Sequence, residues 1–160
     1  KQVVVFPEMV AFTKNDEELG LVIAHELAHN IMRHPDNQKK NAGMAGLAGA
    51  LADAFAQSQG YNTGGALSQL GAQQAVLAYS ADFEREADYV GMYILARSGY
   101  DYTDAASFWR RMSKKNPDGI YVGTTHPTNP DRYVSINKIV AEIDRKKQAG
   151  TPLLPEVAKD

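Results

Sequence analysis

The sequence predicts a mainly helical domain of the α+β kind. Three observations carry that expectation. Most of the 160 residues fall in stretches with apolar residues at helical spacing. One run alone reads as a strand, Val3-Val4-Val5-Phe6, which is β-branched and aromatic. The first long helical stretch carries His25-Glu26-Leu27-Ala28-His29, two histidines four residues apart.

Taken in order, Val3 to Phe6 is expected to be a short edge strand, because Pro7 closes it and proline cannot donate to a ladder. Met9 to Phe12 reads as an apolar turn. Asn15 is an N-cap with Glu18 as its capping-box partner, and the helix it opens runs to about His34-Pro35. Residues 36–58 read as a second helix and 59–65, with three glycines, as a loop. Residues 66–98 read as helix, broken or bent near Gly71 or Ser80. Asp101 or Thr103 caps a helix that ends near Lys115. Asn116-Pro117-Asp118-Gly119 is a turn, 121–129 a loop holding His126, and Pro130 or Asp131 starts a last helix to about Gln148. The chain is read as one domain over 1–160. Its abrupt opening at Lys1, without Met, suggests that an N-terminal portion is missing.

Composition narrows the function. A net charge of −2 with interspersed signs gives no nucleic-acid footprint. The absence of cysteine excludes disulfides and thiolate metal sites, so any metal must be held by histidine and carboxylate. No apolar run reaches membrane-spanning length. The nearest, residues 42–52, consists mostly of small residues and stops at Asp53. It reads as a helix packed closely on a neighbour, and a peripheral membrane contact is the other reading.

On a helix, residues i and i+4 share one face, so His25 and His29 can point at one ion. Glu26 lies about 100° further round, where its carboxylate can reach a water on that ion without joining the ligands. This is the layout of zinc hydrolases. A third ligand is needed, and Phe83-Glu84-Arg85-Glu86-Ala87-Asp88 offers one. Glu84 can bind the metal, and Asp88 can accept the free N–H of a ligand histidine and fix its tautomer. The bland reading of the same segment is a solvated acidic face. His126, before Pro127, could hydrogen-bond an oxyanion or could close the open metal position. His34 is read as a residue at a helix C-terminus and not as a ligand.

Three blocks resemble the HtpX-like metallopeptidase family, which also includes the CAAX prenyl protease and the BepA-like and LoiP-like envelope proteases. They are residues 18–30 around the H-E-x-x-H motif, residues 80–91 around Glu84 and Asp88, and Thr125-His126-Pro127 with Arg132. The resemblance implies a zincin-like, gluzincin core. It implies one Zn2+ held by His25, His29 and Glu84, with Glu26 as the base, Asp88 behind the ligands and Arg132 as a cation near the site. In some members the histidine of the third block restrains activity, as His126 would here. Ala81 departs from the arginine often found after the block's serine, which puts a local salt bridge in doubt. The implied function is a zinc endopeptidase acting on unfolded or misassembled proteins in the cell envelope, in the periplasm. Its polypeptide substrate is expected along the Val3 to Phe6 edge. The rivals are a zinc-bearing, chaperone-like binding module closed by His126, and a helical interaction domain with an accidental H-E-x-x-H.

Overall fold

The computed structural model of the chain describes residues 2–115 and 130–156. Among the described residues the elements are α1 (Pro7–Phe12), α2 (Asp16–Ile31), α3 (His34–Ser58), α4 (Ala66–Arg97), α5 (Ala105–Lys115) and α6 (Pro130–Gln148), with no strand. The chain forms two compact units. One is Lys1–Met32 with Glu84–Asp160, and the other is Arg33–Phe83.

Val3 to Phe6 forms no ladder, which corrects the expected edge strand. A strand is stable only with partners, and no described segment supplies one. Pro7 opens α1 instead of closing a strand. The Phe6 carbonyl accepts from Met9 N at 2.9 Å and from Val10 N at 3.2 Å. Proline suits a first turn because its missing N–H would have had no partner there. Docking of a substrate on a Val3 to Phe6 edge falls with the strand.

α2 starts as its sequence suggests. Asn15 Oδ1 accepts from Glu18 N at 3.0 Å, and Glu18 Oε2 accepts in return from Lys14 N at 2.8 Å. Glu18 also takes two guanidinium nitrogens of Arg111, each at 2.7 Å, so the cap of α2 is tied to α5. α2 stops at Ile31, before the expected end. Arg33, at φ 59°, is the one non-glycine residue with positive φ among those described, and α3 begins directly after it. His34 therefore opens a helix where it was expected to close one. It is buried and stacks on Phe83, with ring centroids 4.6 Å apart.

The Arg33–Phe83 unit packs α3 on the first part of α4 through small residues. A Cβ on Gly49 would lie 2.4 Å from the Leu67 carbonyl oxygen, and one on Gly71 would lie 2.7 Å from that of Ala45. The backbones touch, which only glycine allows. α4 is one continuous helix through Gly71 and Ser80, where the sequence suggested a break or a bend. Asp53 caps α4 from α3: its carboxylate accepts from Thr63 Oγ1, from Leu67 N at 3.2 Å and from Ser68 N at 2.9 Å. Those bonds, the Thr63 hydroxyl first, hold the Asp53 carboxyl below its usual range. This is the close packing read for residues 42–52. The large residues of α3, Met44, Leu47, Leu51 and Phe55, are exposed. No described helix is long and apolar enough to cross a membrane.

The other unit holds the core. Leu21, Val22, Met92, Tyr93, Leu95, Phe108, Trp109, Ile136, Ile139 and Ile143 form one buried cluster. The α6 members recur at i, i+3 and i+7, one stripe of an amphipathic helix. The 151–156 segment is fastened to it, since Lys146 Nζ donates to the Leu154 carbonyl at 2.8 Å and Glu156 N donates to Tyr89 Oη at 2.9 Å.

Gly49→Ala lowers unfolding stability in urea by about 1–3 kcal/mol, the usual cost of overpacking. Gly43→Ala, where a Cβ meets nothing within 4 Å, raises it by about 0.5–1 kcal/mol through helix propensity. Arg111 holds the Glu18 carboxyl below its ordinary 4.5, so the pair stabilises the fold above that pH and loses its effect as pH falls through the lowered value. Glu18→Gln is expected to cost about 1 kcal/mol at pH 7. The gap to wild type should close in acid; a gap independent of pH would contradict the assignment.

Candidate metal centre

His25 and His29 share one face of α2 and meet Glu84 and Asp88 on α4. The two helices come unusually close at this point. A Cβ on Gly91 would stand 3.1 Å from both N and Cα of His25, and Ala24, Ala28 and Ala87 are buried beside it. Gly91 lies three residues beyond Asp88, on the same helical face. Small residues thus let the α2 backbone settle against the carboxylates.

The three candidate donors converge. His25 Nε2 is 3.1 Å from His29 Nε2 and 3.2 Å from Glu84 Oε2. His29 Nε2 is 3.1 Å from Glu84 Oε1. Zinc bonds of about 2.0–2.1 Å at tetrahedral angles would set ligand atoms about 3.3 Å apart, so the spacing fits an ion of that size. His25 and Glu84 are buried, and the His29 side chain is 12 % exposed, so one side of the cluster reaches solvent. Two imidazoles and a carboxylate suit a borderline divalent metal.

Around these donors lies a network of charge. His25 Nδ1 is 3.0 Å from Asp88 Oδ1, so a proton on Nδ1 points at Asp88 and leaves the Nε2 lone pair for an ion. Arg132, from the first turn of α6, donates to Asp88 through Nε and Nη2, both at 2.7 Å. Its Nη1 lies 2.9 Å from Glu84 Oε2. Burial alone would weaken the Arg132 cation, but Asp88 outweighs it and the guanidinium is held protonated, with smaller help from Glu84 and Glu26. Burial likewise opposes the Asp88 anion, and Arg132 reverses this, leaving its carboxyl below the usual range. Without an ion, burial pulls His25 down while Asp88 and Glu84 pull harder, and it rises to about 9. Once His25 is neutral and its Nε2 lone pair is free for an ion, the Glu84 and Asp88 carboxylates face the Arg132 guanidinium among the described residues. A divalent ion would take the place of the His25 proton as partner to these carboxylates.

Of the residues singled out by sequence, His25, His29, Glu84, Asp88 and Arg132 come together here. Glu26 is half-buried on α2, within electrostatic reach of Arg132. His126 lies outside the described residues. Glu84 and Asp88 are not a solvated acidic face, because both are buried, whereas Arg85 and Glu86 are exposed. Gly91 closes the second resembling block of the sequence, but its contact with the His25 backbone shows only in the structure. Trp109, whose ring lies against both Arg132 and His25, carries no signal in the sequence that ties it to the histidines.

An H-E-x-x-H helix whose histidines meet a buried glutamate from a second helix marks a metallopeptidase domain. The chain belongs to peptidase family M48, whose profile matches residues 1–140. It is 30 % identical over 145 residues to the beta-barrel assembly-enhancing protease of Yersinia pestis, covering 83 % of this chain and 29 % of that protein. It is 32 % identical over 151 residues to the mitochondrial metalloendopeptidase OMA1 of Arabidopsis thaliana, covering 92 % of this chain and 29 % of the relative. The Escherichia coli K12 beta-barrel assembly-enhancing protease is 26 % identical over 142 residues, with 81 % of this chain and 28 % of that protein covered. The chain thus spans under a third of the length of these relatives. No solved structure matches.

If Asp88 holds the His25 tautomer, Asp88→Asn should weaken Zn2+ binding about 10- to 100-fold. Chelator competition measures this, with circular dichroism to show unchanged helix content. Unaltered affinity would remove Asp88 from that role.

Proposed function

We propose that this chain is the catalytic domain of a zinc-dependent endopeptidase, with His25, His29 and Glu84 as ligands. The observation that carries the reading is the convergence of three donor side chains, with nitrogen and oxygen atoms 3.1–3.2 Å apart, where the H-E-x-x-H helix meets α4. When bound, zinc would polarise the scissile carbonyl and acidify a water.

The chain's own residues do the rest. Glu26, adjacent to His25 but outside the ligand set, takes the proton of the attacking water and passes it to the leaving amine. Its half-buried position keeps it accessible to a substrate at the open side of the cluster. Asp88 keeps the His25 proton on Nδ1. Arg132 holds the Asp88 and Glu84 carboxylates in one orientation and offsets their charge. Peptide substrates that are unfolded or misassembled are the class we propose, supported by the names of the assembly-enhancing relatives. Those names favour a cell-envelope location for this chain, while the OMA1 relatives are mitochondrial by name.

Glu26→Gln decides the general-base assignment. The variant should keep one Zn2+ per chain and lose about 10²- to 10⁴-fold in the rate of casein cleavage. Undiminished cleavage would exclude Glu26, and wild-type protein without stoichiometric zinc would exclude the metal reading itself.

A further inference from the structure

The mechanism above leaves Trp109 without a task, yet it touches two parts of the cluster. We propose that Trp109 is a positioning residue of the metal centre. Its ring face fixes the Arg132 guanidinium in the plane from which it grips Asp88 and Glu84, and its contact with His25 steadies that ring. The inference rests on the zinc peptidase reading.

A guanidinium is planar. All five N–H donors lie in the plane of the group, and its two faces form no hydrogen bonds. Arg132 directs Nε and Nη2 at Asp88 and Nη1 at Glu84. Those contacts fix the plane's edges but leave rotation out of the plane to be resisted by whatever meets its faces. Arg132 is buried, so water does not fill that place. Trp109 does: its ring centroid is 4.0 Å from Arg132 Cζ, nearer than in any other described cation–ring pair. Indole offers the strongest face of the aromatic side chains to a cation.

The same ring stands 5.3 Å from the His25 ring at 62°, and Phe108 braces it from the side at 5.3 Å and 76°. One rigid side chain thus meets a candidate ligand and the cation that orders two carboxylates. A second feature argues against simple space filling. Trp109 is 5 % exposed, and its Nε1–H has no acceptor among the described residues. A buried unmatched N–H is unfavourable, so for packing alone an aliphatic side chain such as leucine would serve better there. What an aromatic ring adds is the π face.

The test uses the full chain with Trp109→Leu and Trp109→Phe, each verified as folded. Zn2+ affinity is measured by chelator competition, and kcat and KM on a casein peptide. W109L should lose about tenfold or more in Zn2+ affinity, the size seen when support behind a ligand is removed. Its kcat should fall with KM unchanged, while W109F stays within about threefold of wild type. Equal Zn2+ binding by W109L and wild type would overturn the proposal, and so would W109F as impaired as W109L, since volume and not the π face would then matter. Trp109 is the single tryptophan of the chain, so wild-type fluorescence gives a reading that does not depend on variant folding. Its emission should change and saturate at one equivalent of Zn2+; no change at saturation overturns the proposal. Wild type that binds no stoichiometric Zn2+ is a distinct result, which defeats the peptidase reading first.

Discussion

Two carboxylates buried one helical turn apart are the constraint on which the rest of this structure depends. Glu84 and Asp88 are each nearly inaccessible to solvent, and like charges so placed are strongly unfavourable unless matched. The protein matches them with three side chains from two helices. Arg132 comes from α6 with bonds to both, His25 comes from α2 with a ring nitrogen toward each, and His29 completes the Glu84 side. A divalent cation can replace the histidine protons in that match. A cluster of this kind is weak evidence of stability in itself, since a hydrophobic replacement is often as stable. Its presence in the core unit is better explained by chemistry than by folding.

The helices are shaped to permit that cluster. Gly91 and the buried alanines Ala24, Ala28 and Ala87 bring α2 and α4 together where the histidines and carboxylates must meet. Glu18, bonded to Lys14 N and to Arg111, ties the start of α2 to α5. α5 in turn supplies Trp109 beneath Arg132. The position of the H-E-x-x-H helix is therefore fixed at its N-terminus by one ion pair and at its middle by backbone approach. The Arg33–Phe83 unit uses the same device, glycine at helix contacts, for its own packing.

The helices and most of the candidate site were legible in the sequence, because both follow from local spacing. Histidines at i, i+4 share a face whatever the tertiary fold, and so do Glu84 and Asp88. Asn15 and Glu18 declare a helix start by their side-chain chemistry. What depended on distant partners was less legible. Val3 to Phe6 has the composition of a strand, but composition cannot supply a ladder partner, and Pro7 turned out to begin a helix. Arg33 in a left-handed conformation moved the end of α2 and made His34 a first residue where a last was expected. Gly71, which costs a helix propensity, is kept inside one by the close approach of Ala45. Trp109 carries no spacing relation to residue 25 or 132, so only the packing of α5 on α6 reveals it.

The most direct test of the central claim is X-ray absorption at the zinc K-edge on the zinc-loaded chain. The account predicts a first shell of nitrogen and oxygen alone at about 2.0–2.1 Å, with the multiple-scattering signature of two imidazoles. His29→Ala should reduce that signature to one. A shell of six oxygens without imidazole, or a signature indifferent to His29, would contradict it.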